Sequence, residues 1–307
     1  MDGAIIIDKP EGITSHTVVA RVRRVAGIRR VGHAGTLDPF ATGVLVVCVG
    51  RCTRLSQFLV GLDKEYVATI RLGFATDTQD LTGKQITPLR SSYDRSLEDV
   101  RRALNDFIGP QMQTPPMFSA KKVAGERLYR AARAGREVER KPVPINVYSI
   151  DLIEDGSNTL SSNDDGTRDF AVRVKCSSGT YIRTLGHDIG ERLGVGGHLA
   201  GLRRTAVGHF DISRAVGLEE LEQEGGKQKL ESVAIGMAET VSHLPSIELG
   251  SDGVKAVTNG RDVELPAEVA VEPDLPMRLM DESGRLIAVG QYDEERGTIR
   301  PRVVLHV

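Results

Sequence analysis

One segment of the 307-residue chain has the residue types that hold a carboxylate in a fixed position. Asp38 lies between Gly32 and Gly43, in a loop with three glycines, which allow positive φ angles and close approach of the backbone to a ligand. Pro39 restricts Asp38 to extended conformations. These residues predict a rigidly presented carboxylate, although an Asp-Pro dipeptide is more often an ordinary turn. His33, in the same loop, is more often a hydrogen-bonded loop residue than a catalyst.

Two further segments carry charged residues that need an explanation. Arg183 follows residues 177–182 at a predicted strand-to-helix junction, and a cation in the first turn of a helix gains nothing from the helix dipole. A carboxylate or a phosphate must therefore pair with it, and a structural ion pair is the simplest case. Asp80 lies in the loop 76–83, whose acidic residues do not match a calcium-binding EF-hand, so an Asx-turn loop is the plain alternative.

Motifs for cofactors and metals are absent from the sequence. It contains no P-loop, no dinucleotide-binding glycine motif, no H-E-x-x-H and no C-x-x-C pair. The seven histidines show no ligand spacing. Cys48, Cys52 and Cys176 are expected to be small buried side chains rather than ligands or disulfide partners. We therefore expect neither a nucleotide cofactor nor a metal site.

Charge is unevenly distributed along the chain. The formal net charge is −2, but residues 1–216 carry +7 and residues 217–307 carry −9, and such a division is one hint of a polyanionic partner. Residues 121–142 alone hold eight Lys or Arg side chains against three Glu side chains. This run predicts either a solvated helical face or a surface that follows phosphates.

The apolar segments are too short to cross a membrane. A bilayer span takes about 20 apolar residues, and the N-terminal segment lacks the basic and apolar regions of a signal peptide. Three cysteines suit a reducing compartment. We expect a cytoplasmic protein.

Helices and strands that must position these residues are mixed without regular βαβ alternation, which favours the α+β class. Apolar runs predict strands at residues 4–7, 44–49, 66–72, 145–153 and 170–176. Helical spacing predicts a helix that Ser15 caps and that stops at Gly27, a helix capped by Ser96 with Asp99, and helices over 126–134 and 181–193. Residues 155–167 predict an exposed hairpin loop, and short strands with tight turns follow from about Ile247.

Taken together, these segments resemble the TruB family of pseudouridine synthases, which acts on the T-loop of tRNA. The resemblance covers nearly the whole chain and rests on seven blocks in the family's order: residues 8–10 with 12 and 15, 32–43, 64–66, 76–80 with 83, 115–120, 178–183 and 202–204. The C-terminus, through residues 253–254, 259–261 and 299–305, is similar to the PUA RNA-binding module.

The resemblance implies an isomerase that needs no cofactor: the C1′–N1 bond of uridine breaks, the base turns, and C1′ joins C5. Asp38 is then the carboxylate at the sugar, acting either as a nucleophile at C1′ or as a base at C2′. Arg183 is the cation that pairs with it. We hypothesise that Asp80 also pairs with Arg183 and holds the guanidinium in place. Tyr66 matches the tyrosine that stacks on the base and is a candidate acceptor for the C5 proton.

The resemblance also implies how the RNA is bound. The target base must be flipped out of the folded RNA, and His33 matches the residue that fills the space left behind. Tyr181 and Leu202 match residues that line the base pocket. Lys9 is expected to support the loop around Asp38 or to contact the RNA backbone.

The implied fold is a pseudouridine synthase fold, with a mixed, mainly antiparallel central sheet flanked by helices, over residues 1–244. A small all-β PUA-like domain would follow at 245–307. A basic insertion at about 110–144 would close over the T-arm of the tRNA through phosphate contacts. Its candidate RNA-binding residues are Lys121, Lys122 and Arg127. The protein is expected to be a monomer.

Three other functions are compatible with parts of the sequence. A guide-RNA-dependent pseudouridine synthase of the Cbf5/dyskerin type would share the chemistry, but such enzymes usually lack the basic insertion. A non-catalytic tRNA-binding or RNA-folding protein would not need Asp38. A glycoside hydrolase could use Asp38 and Asp80 as its carboxylate pair, but the basic insertion and the absence of tryptophan argue against it.

Overall fold

The structure, a computed structural model, describes residues 1–90, 95–119, 122–123, 126–127, 132, 135–136, 138–153, 160–265 and 275–305. The strands of these ranges, β1 to β18 in chain order, are Gly3–Lys9, Val31–Ala34, Thr42–Val49, Lys64–Leu72, Gly109–Gln113, Lys122–Val123, Glu126–Arg127, Val143–Leu152, Ser161–Ser162, Arg168–Cys176, Gly197–Val207, Phe210–Asp211, Val216–Gly217, Ser246–Leu249, Val263–Glu264, Pro276–Asp281, Leu286–Asp293 and Thr298–Val304. The α-helices, α1 to α8, are Ser15–Ala26, Ser56–Val60, Leu97–Asn105, Ile182–Arg192, Leu218–Leu221, Gly226–Ser232, Met237–Thr240 and Ser251–Thr258. Two 3₁₀ helices span Gly50–Leu55 and Ile212–Arg214.

A central sheet carries the larger part of the chain. Its main order is β13-β1-β3-β11-β4-β10-β8-β5, and β2, β9 and β12 pair at its sides. The pairs β1–β13 and β3–β11 are parallel, whereas the other neighbours in this order are antiparallel. The α+β class with a mixed, mainly antiparallel sheet flanked by helices is therefore confirmed.

The strands β1 and β3 are covered on both faces, which explains their nearly continuous apolar sequences. Leu45 and Val47 pack with Val18 and Val22 of α1 in one buried cluster. Val46 packs on the opposite face in a second cluster, which also contains side chains of the C-terminal strands. A third cluster joins α4 to β4, β8 and β10. Both α1 and α4 are thus fixed in position by packing against the central sheet.

The helix α1 begins one residue earlier than its predicted cap implies. Thr14, not Ser15, is the N-cap, because the Thr14 side chain accepts a hydrogen bond from the amide of Thr17 at 3.1 Å. Ser15 is buried inside the first turn and bonds to another loop instead. The helix ends as predicted at Gly27, whose φ of 65° suits a residue without Cβ.

The helix predicted over residues 126–134 is wrong at its start. Glu126–Arg127 forms a strand that pairs antiparallel with Lys122–Val123. Only two residues, the second of them glycine, separate the two strands, and so short a link favours a hairpin over a helix. The remainder of the predicted helix, apart from Ala132, lies outside the described residues.

The C-terminal residues form a second sheet, with the order β14-β16-β17-β18-β15. It packs α8 against one face through a separate apolar cluster, so one helix accompanies the expected short strands. The three cysteines are free and buried, as predicted. Across the described ranges, no helix is both long and apolar enough to span a bilayer.

Candidate active site

The carboxylate of Asp38 and the guanidinium of Arg183 form an ion pair across the first turn of α4. Nε of Arg183 lies 2.9 Å from Oδ2 of Asp38, and Nη2 lies 3.5 Å from Oδ1. The Arg183 side chain is 5% exposed, whereas that of Asp38 is 36% exposed and faces a cavity. The buried guanidinium thus fixes the position of the carboxylate, and the exposed part of the carboxylate remains accessible to a ligand in the cavity.

Asp80 contacts the same guanidinium from the other side. Nη1 of Arg183 lies 3.4 Å from Oδ2 of Asp80 and donates to the carbonyl of Thr78 at 3.0 Å. Oδ1 of Asp80 accepts hydrogen bonds from both hydroxyls of Thr78 and Thr82, at 2.7 and 2.6 Å, and from the amide of Thr82 at 2.9 Å. Asp80 is therefore a buried anchor for Arg183, and its role in the reaction stays a prediction.

The loop that holds Asp80 is itself fixed against α4 and β11. Gln79 has a φ of 63°, an unusual value for a residue with a side chain. Its side-chain oxygen accepts from the Thr184 hydroxyl at 2.9 Å, and its carbonyl accepts from the amide of Leu199 at 3.1 Å. These contacts stabilise an otherwise unfavourable backbone conformation.

Three buried polar side chains fix the loop around Asp38. Nζ of Lys9 donates to the carbonyls of Pro10, Ile13 and Pro39 at 2.8 to 3.2 Å. The Ser15 hydroxyl both donates to the carbonyl of Leu37 and accepts from its amide.

The third of these side chains is Arg204, which reaches the loop from β11. Its guanidinium donates to the carbonyls of Gly35 and Thr36 at 3.1 and 3.5 Å and to that of Val44 at 2.8 Å. Each neighbour of Asp38 in the loop is thus tied to a different strand or helix.

Two cavities meet at Asp38 and Arg183. The larger, of about 670 Å³, is lined by His16, His33, Phe40, Thr82 and Phe118, among others. The smaller, of about 260 Å³, is lined by Val60, Lys64, Tyr66, Gly179, Tyr181, Leu202 and Arg204, among others. Because the ion pair forms part of both walls, a ligand can reach Asp38 while different parts of it occupy the two cavities.

The pKa of Asp38 is raised above its ordinary value of 3.8. Burial is the main cause and the nearby charge of Asp80 adds to it, whereas the charges of Arg183 and Lys9 oppose it. A carboxylate held in this way carries its charge in a partly dry site, in a direct ion pair with Arg183.

Tyr66, Tyr181 and Leu202 lie together in the wall of the smaller cavity. Tyr66 is 8% exposed, and burial raises the pKa of its hydroxyl above 10, although the charge of Arg204 opposes this rise. The backbone of Tyr181 is bonded on both sides by the buried amide of Gln113, at 2.8 and 3.1 Å. These three side chains give the cavity a partly flat and apolar wall, which suits a planar ring.

His33 lies in the wall of the larger cavity, away from the tyrosines. Its Nδ1 atom is buried and has no hydrogen-bond partner in the structure. Burial, together with the charge of Arg204, lowers the pKa of its imidazole below 6.5. The lowered pKa favours the uncharged imidazole near pH 7.

The predicted RNA-binding residues of the basic insertion are only partly described by the structure. Lys121 lies outside the described residues, and Lys122 and Arg127 lie in the short hairpin β6–β7. Nothing in the structure tests their contact with RNA. Within the described ranges, no group of three His, Cys, Asp or Glu side chains could hold a metal ion.

Sequence reasoning missed Arg204, Lys64 and Ser15 as parts of the site. Arg204 and Lys64 belong to blocks of the family resemblance, and both alternate with apolar residues on strands. A strand pattern assigns such positions to the buried face, and a buried cation without a partner is costly. A cation at a position that the strand pattern predicts to be buried could therefore have marked Arg204 and Lys64 as candidate site residues.

Comparisons with known proteins agree with this geometry. Residues 23–182 match the family model of the TruB family pseudouridylate synthase N-terminal domain, and residues 183–241 match that of the tRNA pseudouridylate synthase B C-terminal domain. The tRNA pseudouridine synthase B of Geobacillus thermodenitrificans is 40% identical over 304 residues, covering 98% of each chain. That of Thermobifida fusca is 42% identical over 306 residues, covering 99% of this chain and 98% of the other.

Solved structures show the same fold at lower identity. A chain from the crystal structure of a Cbf5-Nop10-Gar1 complex superposes with a TM-score of 0.76 at 28% identity, covering 99% of this chain and 85% of the other. A chain from an H/ACA RNP bound to a substrate RNA containing 2′-deoxyuridine gives a TM-score of 0.73 at 26% identity, with coverage of 99% and 85%.

Proposed function

The chain belongs to the TruB family of pseudouridylate synthases, and we propose on this basis that it converts the T-loop uridine at position 55 of tRNA to pseudouridine. The observation that supports this most directly is the Asp38–Arg183 ion pair, because it lies where two cavities meet and leaves the carboxylate accessible. Relatives of about 40% identity over nearly the whole chain are tRNA pseudouridine synthases.

In the proposed reaction the flipped uracil occupies the smaller cavity and the rest of the T-loop occupies the larger one. Asp38 then attacks C1′ or removes the proton at C2′, and in either case the C1′–N1 bond breaks. Tyr66 stacks on the freed base while it turns, and after C5 has joined C1′ it is the candidate acceptor of the C5 proton. The reaction requires no change of oxidation state and hence no redox cofactor.

The other predicted residues have supporting parts. His33 fills the space left by the flipped base, and its neutral imidazole suits insertion between stacked bases. Tyr181 and Leu202 close the base cavity. The three carbonyl contacts of Lys9 support a role in fixing the loop rather than in binding RNA.

On a larger scale, we propose catalytic residues 1–244 with a basic insertion at about 110–144, and a PUA-like domain at 245–307. Lys121, Lys122 and Arg127 of the insertion are proposed to bind phosphates of the T-arm. Binding should then weaken steeply as the salt concentration rises. The protein would act as a cytoplasmic monomer.

The test is incubation of the purified protein with an unmodified tRNA transcript, without guide RNA, and mapping of pseudouridine by carbodiimide treatment and primer extension. With the wild type we expect a stop that lies one nucleotide 3′ of position 55, where the adduct on pseudouridine blocks the reverse transcriptase. Asp38→Asn should reduce turnover about 10⁴-fold or more but still bind tRNA. Modification that depends on a guide RNA would favour the Cbf5/dyskerin alternative, and activity that survives Asp38→Asn would exclude the proposed chemistry.

A further inference from the structure

The smaller cavity has two buried cations in its wall besides Arg183. Lys64 and Arg204 both line it, at the end where Tyr66 lies. Among the described residues that line this cavity, Asp38 is the sole carboxylate. The wall of this cavity therefore carries an excess of positive charge, on three side chains that are themselves buried.

Lys64 is held by carbonyl groups instead of by an acid. Nζ donates to the carbonyl of Val60 at 2.6 Å and to that of Leu62. The adjacent Asp63 accepts a hydrogen bond from the Tyr148 hydroxyl at 3.0 Å and is not part of the cavity wall. Burial, with a contribution from the charge of Arg204, lowers the pKa of Lys64 to about 8, although the nearby charge of Asp63 opposes this shift. The ammonium group is thus mostly charged at pH 7.

Arg204 has the same type of surroundings. It is 1% exposed, and its guanidinium donates to the carbonyls of Gly35, Thr36 and Val44 and also lies within hydrogen-bonding reach of the Tyr66 hydroxyl. Carbonyl dipoles solvate a buried cation but do not cancel its charge. Both cations therefore remain able to interact with an anion that forms in the cavity.

The proposed reaction forms such an anion. When C1′–N1 breaks, the bonding electron pair leaves with N1. If Asp38 attacks C1′, its carboxylate becomes a neutral ester. If Asp38 takes the C2′ proton, it becomes a neutral acid. Either way, one negative charge passes from Asp38 to the uracil, which becomes a uracil anion, and returns to the carboxylate when C5 bonds to C1′.

We propose that Lys64 and Arg204 stabilise the uracil anion while it is detached from the ribose, and that Lys64 is a catalytic residue for cleavage of the C1′–N1 bond. The inference rests on the proposed function. Preorganised charges aimed at a developing anion are among the largest contributions to catalysis, because the protein does not have to reorganise during the reaction. Arg183 would stabilise Asp38 before cleavage, and Lys64 and Arg204 would stabilise the base after it.

Lys64 is the better residue to test, since Arg204 also holds the Asp38 loop through Gly35 and Thr36. Lys64→Gln removes the charge but keeps an N–H donor for the carbonyls. We expect single-turnover conversion of uridine to slow about 10²-fold, with tRNA affinity and thermal stability close to those of the wild type. Lys64→Arg should recover a large part of the rate.

A substrate with a better leaving group separates a charge effect from a structural one. Fluorine at C5 withdraws electrons and stabilises the uracil anion, so tRNA containing 5-fluorouridine needs less help from the protein. Because its C5 carries no proton, disappearance of the starting nucleotide under single-turnover conditions reports on cleavage and rejoining. We expect Lys64→Gln to slow this disappearance less than 10-fold, clearly less than it slows conversion of uridine.

The matched control is Lys175→Met, which removes an exposed lysine of the neighbouring strand β10, where Lys175 pairs with Glu65. It should react like the wild type with both substrates. Equal slowing of both substrates by Lys64→Gln would overturn the proposal in favour of a structural role, and so would an unchanged rate with uridine. A wild type that converts no uridine in tRNA would instead refute the proposed function.

Discussion

Two carboxylates share one guanidinium in this site, but their surroundings give them different tasks. Asp38 keeps one side open to the cavities and contacts Arg183 with both oxygens. Asp80 is closed in by Thr78 and Thr82, which use up its Oδ1. Differences of this kind between neighbouring acids are how one site separates a reacting group from a positioning group.

The raised pKa of Asp38 leads to a prediction about pH. The proposed reaction needs the ionised carboxylate, and a raised pKa means that the proton is retained to a higher pH than in an unperturbed acid. Activity should therefore be lost, as the pH falls, at a value above 3.8. Single-turnover rates measured from about pH 4 to 8, with tRNA binding and circular dichroism recorded at each pH, would reveal this acid limb. Full activity down to pH 4 would contradict it.

The contact of Asp80 with Arg183 leads to a second prediction at this scale. Asp80→Asn keeps the hydrogen bonds from the threonines but removes the charge that faces the guanidinium, so Arg183 and with it Asp38 are held less firmly. We expect turnover to fall about 10²-fold while tRNA affinity stays nearly constant. Asp77→Asn, in an exposed position of the same loop, is the control and should be neutral. Unchanged turnover in Asp80→Asn would remove Asp80 from the network.

At the scale of elements, α4 presents Arg183 because it lies unusually close to β11. A Cβ at Gly190 would lie 2.2 Å from the amide nitrogen of Gly197, and one at Gly186 would lie 2.9 Å from Leu199. Glycine at these positions lets the helix axis approach the sheet. The distance between Arg183 and Asp38 is thus set partly by residues two turns away from the site.

Gly190→Ala tests this dependence. The added methyl group collides with backbone atoms, so the helix must move away from the sheet, at a cost of about 1–3 kcal/mol in the free energy of unfolding. The movement should displace Arg183 and lower kcat as well. The effect can be measured by urea denaturation and by tRNA modification. Gly217→Ala, whose Cβ would meet no heavy atom within 4 Å, is the control. A fully stable and active Gly190→Ala variant would show that the close approach is dispensable.

At the scale of the whole molecule, the C-terminal sheet is joined to the central sheet by a shared core. Leu286, Val303 and Leu305 pack in the same buried cluster as Leu55 and other side chains of the N-terminal part. Arg51 adds a hydrogen bond to the carbonyl of Leu305 at 2.9 Å. Apolar contacts of this kind fix the relative position of two parts of a chain more firmly than a polar interface would.

A shared core predicts that the two sheets unfold together. Calorimetry should show one transition, and Leu305→Ala should lower the stability of the whole protein by about 2–5 kcal/mol. Leu275→Ala, at an exposed apolar position, is the control and should leave the transition in place. Two separate transitions, or a loss confined to the C-terminal sheet, would show that the docking contributes little.

Local patterns in the sequence were sufficient for several of the long elements, although they did not identify β11. The apolar runs that became β1, β3, β4 and β10 and the helical spacing of α1 and α4 identify those elements, because side-chain periodicity follows directly from backbone geometry. Hydrogen bonds at element ends were less certain: Ser15 and Thr14 are both good caps, and the choice between them depends on the burial of Ser15 beside Leu37. The strands of the pair β6–β7 have only two residues each, which is too short for an alternating pattern in the sequence to reveal them.

By itself, the sequence determined the α+β class, the absence of cofactor motifs and, through its resemblance to a family, the set of residues that includes Asp38, Arg183, Asp80 and Tyr66. Tertiary structure alone decided that Asp80 and Arg183, 103 positions apart, share an ion pair, and that Lys64 and Arg204 are solvated by carbonyls beside the base cavity. The physical reason is that the energy of a buried charge depends on which groups surround it in space. Those groups come from strands and loops whose distance along the chain carries no information about their contact.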